Sequence, residues 1–379
     1  MNNFSFKVLT LISLFVMLLS SCTGRRAGID DSSSNIIGEA RLLSLSDHDG
    51  YSVARIKNPW DTLAAPAEYY LVERGRDVEV PHGAVKIEVP VERAVVFSSV
   101  HTTLLSELGC MENVAGVCDA QYIADPAIKD RIKKGLVADC GLISSPNREK
   151  IIGSLPGMIL MSAFQNGSVA SQMRQTGTPV VEGAEYMENT PLARAEWMRF
   201  YGRLFGKGNE ADARFEKLRS NYNSMSAKAK GAGHRPSVMY DMIYNGIWCQ
   251  PTPESTTGRM IEDAGGSVLF HGNGQGGNVQ LSPEKVLMEG MDADVWMVRH
   301  FGGGPLTLGK IAADNPIYTK FKAFKEGNVY GSDTQRSMVF EDASFHPDRI
   351  LADMIRVLHP EIEIDSSYPH YYQRIDDSL

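Results

Sequence analysis

Short apolar runs alternate with helix-like segments in two separate parts of the chain, residues 93–190 and 237–360, and this pattern limits the fold more than any other feature. Ala94-Val95-Val96-Phe97 and Met158-Ile159-Leu160-Met161 are continuous apolar runs of strand length, and a segment with helical spacing follows each of them. A strand that is apolar at every position is buried on both faces, as in parallel sheets covered by helices. The sequence therefore predicts an α/β fold.

The stretch between these two parts, residues 191–230, carries no strand signal. Phe215, Leu218, Tyr222 and Met225 recur there at intervals of three and four residues, as on one face of a helix. Twenty helical residues would extend roughly 30 Å, about the width of a small domain. We predict two Rossmann-like lobes joined by one long helix. Because ligands bind beyond the carboxyl ends of such strands, a cleft between the lobes is the expected ligand site.

Upstream of the lobes, the chain alternates polar and apolar residues, as in Tyr51–Lys57 and Glu68–Glu73. Alternation with a period of two is typical of half-buried strands, so we predict a small antiparallel β extension at the N-terminal side. The predicted organisation is a β-rich extension at 38–92, an N-terminal α/β lobe at 93–190, connecting helices at 191–230, a C-terminal α/β lobe at 231–361 and a C-terminal tail at 362–379.

The first residues have the pattern of an export signal. The apolar run of residues 8–19 is too short to span a bilayer comfortably, and we predict a signal peptide over residues 1–21. Leu19-Ser20-Ser21-Cys22 resembles a bacterial lipobox, which makes Cys22 the expected lipidation site and residues 22–37 a lipid-attached tether. The alternative is an unmodified cysteine within a signal peptide. We expect a protein of the periplasm or cell envelope that contacts the membrane through its lipid anchor only.

Charge and motifs exclude several classes of function. The chain has 38 Lys and Arg against 46 Asp and Glu, a net charge of −8, which argues against nucleic acid as a partner. The sequence contains no G-x-S-x-G, H-E-x-x-H or P-loop motif, and we predict no catalytic residue. Residues 272–277 fit G-x-G-x-x-G, but no helix is predicted directly after them, as a dinucleotide site requires. Cys110, Cys118, Cys140 and Cys249 match no zinc spacing, and both free thiols and a disulfide remain open.

Several local motifs are similar, in order and spacing, to those of one protein family. The chain resembles the substrate-binding proteins of ABC importers for iron-siderophores, haem and cobalamin, which are class III periplasmic binding proteins. The motifs that carry the resemblance are Arg93-Ala94-Val95-Val96-Phe97-Ser98, Leu104-Leu105-Ser106-Glu107-Leu108-Gly109, Asn113-Val114-Ala115-Gly116-Val117, Phe345-His346-Pro347-Asp348 and Leu358-His359-Pro360-Glu361. They extend over nearly the whole body of the chain.

The resemblance implies a partner, namely an ABC permease dimer with its ATPase. In the family, one glutamate on each lobe docks onto arginines of the permease. The matching segments here are Asn147-Arg148-Glu149-Lys150-Ile151 and Ser282-Pro283-Glu284-Lys285-Val286, so the implied docking residues are Glu149 and Glu284. The alternative is that both are ordinary glutamates of a first helical turn, where the helix dipole favours a negative charge.

The resemblance also implies a small metal-chelate ligand, either an iron chelate such as a ferric siderophore or a corrinoid such as cobalamin. A haem-binding or a zinc- or manganese-binding component of an ABC importer is the alternative, and an extracytoplasmic α/β enzyme is a remote one. The residues at strand ends that would contact the ligand are Ser99, His101, Tyr122, Phe164, Gln165, Tyr244, Trp248, Arg299, Phe301, Arg336 and Phe340.

These candidate residues suit different parts of such a ligand. Aromatic faces suit a corrin or porphyrin plane, and arginines suit anionic siderophore or propionate groups. Each aromatic residue could instead pack in the core, and each arginine could form a surface ion pair. His101 could ligate haem iron, although a lone histidine is more often a core or capping residue. We predict no resident cofactor and no protein metal ligand.

Overall fold

The structure is a computed structural model that describes residues 34–61, 63–165, 167–272, 277–302 and 304–376. The predicted signal peptide and the lipidation site Cys22 lie outside the described residues. No helix in the described ranges is both long and apolar enough to cross a membrane. All four cysteines of these ranges are free thiols, and Cys249 alone among them is exposed.

The N-terminal extension is a four-stranded sheet in the order β1-β2-β3-β4. Its strands are β1 (Leu43–His48), β2 (Tyr51–Ile56), β3 (Ala67–Glu73) and β4 (Val85–Val89). β1, β2 and β3 pair antiparallel, whereas β3 and β4 pair parallel. The prediction of a purely antiparallel layer was therefore wrong for β4. Residues 74–84 carry the chain back along the sheet, so that β4 runs beside β3 in the same direction.

The first α/β lobe contains a five-stranded parallel sheet in the order β11-β10-β5-β6-β7. The run of residues 94–97 is apolar throughout because both faces of the sheet are buried there. Ala94 and Val96 belong to one buried cluster, and Val95 and Phe97 belong to another. The strands are β5 (Ala94–Val96), β6 (Val114–Val117), β7 (Ala138–Asp139), β10 (Met158–Ser162) and β11 (Val180–Gly183), with a short hairpin of β8 (Gly141–Leu142) and β9 (Ser145–Pro146). The helices are α1 (Ser99–Glu107), α2 (Pro126–Lys133), α3 (Arg148–Gly153) and α4 (Ser168–Arg174).

Three helices connect the lobes, namely α5 (Pro191–Glu196), α6 (Met198–Leu204) and α7 (Gly208–Lys230). The long helix α7 buries Phe215, Leu218, Tyr222 and Met225, the residues whose spacing predicted it. Packing of this apolar face, rather than intrinsic helix propensity, is what stabilises a helix of this kind in a folded protein.

The second lobe has a five-stranded sheet in the order β14-β12-β16-β17-β18. Its strands are β12 (Ser237–Tyr240), β14 (Ser267–Val268), β16 (Val295–His300), β17 (Val329–Asp333) and β18 (Gln373–Arg374), and only β18 is antiparallel to its neighbour. The sequence assigned residues 362–379 to a separate tail. In the structure β18 instead forms the edge of this sheet, and Tyr371 and Tyr372 beside it are buried.

The second lobe also contains a small ribbon and six helices among the described residues. β13 (Trp248–Gln250) and β15 (Val279–Leu281) form a two-stranded antiparallel ribbon. The helices are α8 (Thr256–Asp263), α9 (Pro283–Gly290), α10 (Leu308–Asp314), α11 (Lys322–Lys325), α12 (Val339–Phe345) and α13 (Pro347–Leu358). α12 packs against α1 of the first lobe, and α13 packs against α7. The predicted class, an α/β fold with two Rossmann-like lobes and a long connecting helix, is confirmed.

Candidate functional site

A cavity of about 920 Å³ lies between the two lobes. This volume is near the upper end of the range of roughly 300–1,000 Å³ for small-molecule sites, so a bulky ligand fits. The first lobe contributes Phe97, Ser98, Ser99, Asp119, Tyr122, Ile143 and Ser162 to its lining, and the second contributes residues 241–245 with Ile247, Cys249, Gln280, Arg299, His300, Phe301 and Thr334. Phe340 and Glu341 of α12 complete the described lining.

The topology of both sheets explains why the cavity is here. The strand order reverses direction between β5 and β10 in the first sheet and between β12 and β16 in the second. At such a switch point the connecting segments diverge to opposite faces and leave a crevice beyond the carboxyl ends of the strands. Ser99 follows β5 and Ser162 ends β10, whereas Asp241 follows β12 and Arg299 is the last residue but one of β16. The cavity therefore joins two switch points that face each other.

Left-handed backbone places three polar residues at the cavity. Asp119 has φ 50°, Asp241 has φ 52° and Asn245 has φ 49°, and of the other described non-glycine residues only Leu155 has a positive φ. Aspartate and asparagine tolerate this conformation better than most residues do. Asp241 comes directly after the end of β12 and Asp119 two residues after the end of β6, so the sharp change in chain direction leaves their carboxylates at the cavity wall.

An ion pair connects the ends of β12 and β16. Arg299 donates to both carboxylate oxygens of Asp241, from Nε at 3.1 Å and from Nη2 at 2.5 Å, and its backbone N–H also donates to Oδ1 at 3.2 Å. The guanidinium carbon lies 5.0 Å from the centre of the Tyr240 ring. Because the planar fork and the carboxylate match in a bidentate arrangement, the arginine is held in one orientation.

Aromatic side chains reach across the cavity from both lobes. The ring centres of Tyr122 and Phe301 are 5.8 Å apart in an edge-to-face arrangement, although both side chains are more than half exposed. Tyr244 and Phe340 are exposed on the same lining. Large exposed aromatic residues around one concave surface provide the apolar contact area that a flat or bulky ligand needs.

Glu341 brings a buried carboxyl group to the lining. Its Oε1 accepts a hydrogen bond from the Ala124 N–H at 3.2 Å, whereas its buried Oε2 has no hydrogen-bond partner within the part of the chain that the structure describes. Burial raises the pKa of this carboxyl group above its ordinary value, because the charged form is poorly solvated there. Glu341 therefore contributes a carboxyl oxygen that no group among the described residues satisfies.

Six of the eleven predicted ligand contacts line this cavity, and they come from both lobes. These are Ser99, Tyr122, Tyr244, Arg299, Phe301 and Phe340. The structure thus brings together residues that are more than two hundred positions apart in sequence, and their role in binding stays a prediction.

Two of the other candidates are core residues. His101 is buried on α1, where its Nε2 lies 2.9 Å from Glu185 Oε1, and Tyr201 donates to the other oxygen of Glu185 at 2.6 Å. Trp248 is fully buried, and its indole N–H donates to the Tyr240 carbonyl at 3.0 Å. Both side chains have their polar atoms turned into the protein, so neither is placed to contact a ligand in the cavity.

The last three candidates are exposed outside the lining. Phe164 and Gln165 follow β10 but do not reach the cavity. Arg336 is 74% exposed, and its Nε lies 3.6 Å from Asp333 Oδ2. Arg336 therefore forms the surface ion pair that the sequence left open as its alternative.

Sequence reasoning missed the acidic and thiol groups of the lining, namely Asp119, Asp241, Cys249 and Glu341. Asp119 and Asp241 follow predicted strands, so the rule that selected Ser99 would also have found them. Cys249 lies beside Trp248 in a strand whose alternate residues face opposite ways. Glu341 is on a helix far along the chain, and no local pattern relates it to the cleft.

Two groups of side chains have donors close enough together for a metal ion, within the residues that the structure describes. They are His234 with His359 and Glu361, and Glu107 with Asp342 and His346. Neither group lines the cavity. A zinc or manganese cargo, the alternative that the sequence left open, would need such a cluster in the cleft, and the described lining does not contain one.

The two predicted docking glutamates are exposed in the first turns of α3 and α9. In each helix, the residue two positions before the glutamate is the N-cap. Asn147 Oδ1 accepts a hydrogen bond from the Lys150 N–H at 3.0 Å, and Ser282 Oγ accepts one from the Lys285 N–H at 3.3 Å. Hydrogen bonds from its own backbone N–H and from Ser282 lower the pKa of Glu284, which keeps this carboxylate charged.

Apolar side chains are exposed close to both glutamates. Ile152 and Leu155 are 51% and 75% exposed after Glu149, and Met288 and Met291 are 78% and 42% exposed after Glu284. Each lobe thus presents a charged residue together with apolar surface, a combination common at interfaces between proteins.

Comparisons with known proteins agree with this architecture. A structure of a periplasmic binding protein from Veillonella parvula covers 83% of this chain and 99% of its own, with a TM-score of 0.62 and 15% identity. A periplasmic heme-binding protein from Pseudomonas aeruginosa covers 73% and 95%, with a TM-score of 0.58 and 14% identity. At these identities the likeness concerns the fold.

Among curated sequences, the chain is similar to an uncharacterized lipoprotein of Methanocaldococcus jannaschii. The two are 28% identical over 287 residues, which cover 73% of this chain and 67% of the relative. A second uncharacterized lipoprotein of the same species is 24% identical over 357 residues, which cover 90% of this chain and 87% of the relative. The family model described as periplasmic binding protein matches residues 94–335, which include the first lobe, the connecting helices and the second lobe as far as β17. Its members bind solutes and are not enzymes, and this chain belongs to the periplasmic binding protein family.

Proposed function

We propose that this protein is an extracytoplasmic solute-binding lipoprotein that captures an iron chelate or a corrinoid and delivers it to an ABC permease. The observation that carries the proposal is the aromatic cavity of about 920 Å³ at two facing switch points. Such a volume exceeds what a single ion or a small metabolite needs, and exposed aromatic rings match the apolar faces of a large chelate. The lipid on Cys22 would keep the protein at the membrane beside its permease.

The exposed glutamates Glu149 and Glu284 support the delivery step. Each lobe offers one carboxylate at a helix start, and each is flanked by exposed apolar side chains. A permease with arginines at matching positions would pair with both lobes at once. Charged pairs of this kind guide the encounter and set the orientation of the complex more than they add to its affinity.

Transport measurements with a double charge reversal test this proposal. We expect the Glu149→Arg and Glu284→Arg protein, expressed with the permease in a strain without its own binding protein, to lose uptake of labelled cyanocobalamin or ferric siderophore. Binding of the same chelate to the purified variant should stay within about twofold of wild type, because neither residue lines the cavity.

The matched control is a double reversal of Glu79 and Glu363, which are exposed glutamates away from α3 and α9. This control should transport normally. Uptake that survives reversal of Glu149 and Glu284, or that both double variants lose equally, would refute the docking assignment.

A further inference from the structure

The charged side chains of the cavity carry more negative than positive charge. In the described lining, the carboxylates are Asp119, Asp241 and Glu341, and the only arginine or lysine is Arg299. Residues 273–276 and Gly303, which the structure does not describe, contain no charged residue. The local balance therefore matches the acidic composition of the whole chain.

The single cation is already used within the protein. Both carboxylate oxygens of Asp241 accept hydrogen bonds from the Arg299 side chain. The Arg299 guanidinium also lies over the Tyr240 ring. An anionic ligand that recruited Arg299 would have to compete with a fixed bidentate partner, and separating that pair would leave a carboxylate without its cation.

The other two carboxyl groups have no cation opposite them in the lining. Asp119 Oδ1 accepts from the Ile143 N–H at 3.2 Å, and Glu341 Oε1 accepts from the Ala124 N–H at 3.2 Å. The second oxygen of Glu341 is buried without a hydrogen-bond partner among the described residues. These oxygens would repel a ligand carboxylate or catecholate, whereas they suit amide N–H groups or a positive charge.

We infer that the cavity selects metal chelates without net negative charge, namely corrinoids and ferric hydroxamates, and rejects anionic chelates such as haem and ferric catecholates. This inference rests on the proposed function and specifies its ligand. Of the two arginines that the sequence suggested for anionic groups, Arg299 is paired with Asp241 and Arg336 lies outside the lining. Repulsion is strong here because a partly closed cleft screens charge less than open solvent does.

Calorimetric titration of the intact lipoprotein in detergent tests the inference. The probes are neutral cyanocobalamin, a cationic ferric trihydroxamate, haemin and an anionic ferric tris-catecholate. We expect the tighter of the first two to bind at least about tenfold more strongly than either anionic probe, the size of effect that one uncompensated charge produces across a cavity of this kind.

Two variants assign the selectivity to the carboxyl groups. Asp119→Asn with Glu341→Gln keeps both shapes and removes the negative charge, and it should raise the affinity for the anionic probes relative to the neutral one by roughly tenfold. Asn245→Asp adds a carboxylate at an exposed position with left-handed backbone, and it should lower the ratio of the affinity for the anionic probes to that for the neutral probe. This second variant keeps the test valid if the change at the buried Glu341 impairs folding. The control pair Glu79→Gln and Glu363→Gln should leave it unchanged.

The outcomes separate the two proposals. Haemin or the catecholate binding as tightly as the neutral probe would overturn the charge selectivity and leave the solute-binding function in place. If all variants kept the same preference for neutral chelates as the wild type, the carboxyl groups of Asp119 and Glu341 would not determine the selectivity. Failure of all four probes to bind would overturn the proposed function, and the inference would fall with it.

Discussion

Glu107 connects α1 of the first lobe with the last two helices of the chain. Its carboxylate contacts His346 Nε2, and Arg349 Nη1 lies 3.0 Å from Glu107 Oε1 and 3.2 Å from Asp342 Oδ1. Tyr371 donates to the other oxygen of Asp342. Glu107, Asp342 and His346 are close enough together to bind a metal ion, but the Arg349 guanidinium already lies between the two carboxylates as their cation. The group therefore fastens α12 and α13 to the first lobe.

The protonation of Glu107 should make this fastening depend on pH. Burial by itself would raise the pKa of the Glu107 carboxyl, but its hydrogen bond to His346 and the charges of His346 and Arg349 lower the pKa from 4.5 to about 2. Since the folded-state pKa is below the unfolded one, the stabilisation is fully present above about pH 5 and is lost as the pH falls toward 2. Its upper limit is roughly 3 kcal/mol in the free energy of unfolding.

Urea unfolding of wild type and Glu107→Gln measures this effect. At about pH 7 the variant should be less stable, by no more than this limit, and the difference should shrink below about pH 5. Glu112→Gln is the control, because Glu112 is an exposed glutamate near the same helix that pairs with Arg131 on the surface. A difference between wild type and Glu107→Gln that is the same at every pH would contradict the assignment.

Residue-level errors of the sequence analysis come from the direction in which neighbouring side chains point. Ser99 and His101 are two positions apart at the start of α1, about 200° around a helix, so one lines the cavity and the other is buried against Glu185. In β13, Trp248 is buried and Cys249 is exposed on the cavity side, because successive strand residues face opposite ways. The strand ends were predictable, but the prediction took both Ser99 and His101 at the first of them, and at β13 it took Trp248 instead of Cys249.

At the scale of elements, one aromatic contact bridges the lobes at the cavity. Tyr122 follows β6 in the first lobe, and Phe301 follows β16 in the second. Both side chains are largely exposed, so neither is fixed by its own core. The contact between them is therefore a direct link between the two walls of the cavity.

A double-mutant cycle on Tyr122→Ala and Phe301→Ala measures this link. Edge-to-face aromatic pairs contribute about 0.5–1.5 kcal/mol beyond the area they bury, and we expect a coupling of that size in the unfolding free energy of the ligand-free protein. Tyr122→Ala combined with Tyr244→Ala is the control cycle and should be additive. Additive effects of Tyr122 and Phe301 would mean that the lobes do not meet through these rings.

Elements with continuous apolar runs were predictable, and polar or short ones were not. The parallel strands and α7 bury almost every apolar residue that predicted them. β18 consists of Gln373 and Arg374, both exposed, and it exists only because the edge of β17 is available for pairing. The pairing direction of β4 likewise depends on where the chain has to enter the first lobe, which no residue of β4 encodes.

At the scale of the whole molecule, two buried carboxylates hold the N-terminal extension against the lobes. Glu196 of α5 accepts hydrogen bonds from the backbone N–H groups of residues 38, 39 and 40 at 2.7 to 3.2 Å. Glu188 accepts from those of residues 41 and 42 at 2.8 to 3.1 Å. The Glu188 carbonyl in turn accepts from the Thr256 hydroxyl of the second lobe at 3.2 Å. The extension is thereby integrated with both lobes.

The hydrophobic core also joins the N-terminal extension to the rest of the protein. Leu43, Leu71 and Ile87 of the extension belong to the same buried cluster as Phe200 of α6 and Leu351 of α13. The sequence predicted the extension as a separate β layer, because its alternating pattern shows one apolar face but not the surface that covers it. That surface consists of helices from distant parts of the chain, and only the assembled fold brings them together.

Glu196→Gln and Glu188→Gln should loosen different parts of the extension. Hydrogen bonds from N–H groups to a charged carboxylate contribute about 1.5–3 kcal/mol, and a glutamine keeps the volume but loses the charge and one acceptor. Hydrogen exchange followed by mass spectrometry should therefore show faster exchange at the amides of residues 38–40 in Glu196→Gln, by roughly ten- to a hundredfold, and at 41–42 in Glu188→Gln. Each variant is the control for the other, since both remove one buried charge from neighbouring positions. If either change released all five amides equally, the segment would open as one unit, and the two carboxylates would not be separate anchors for it.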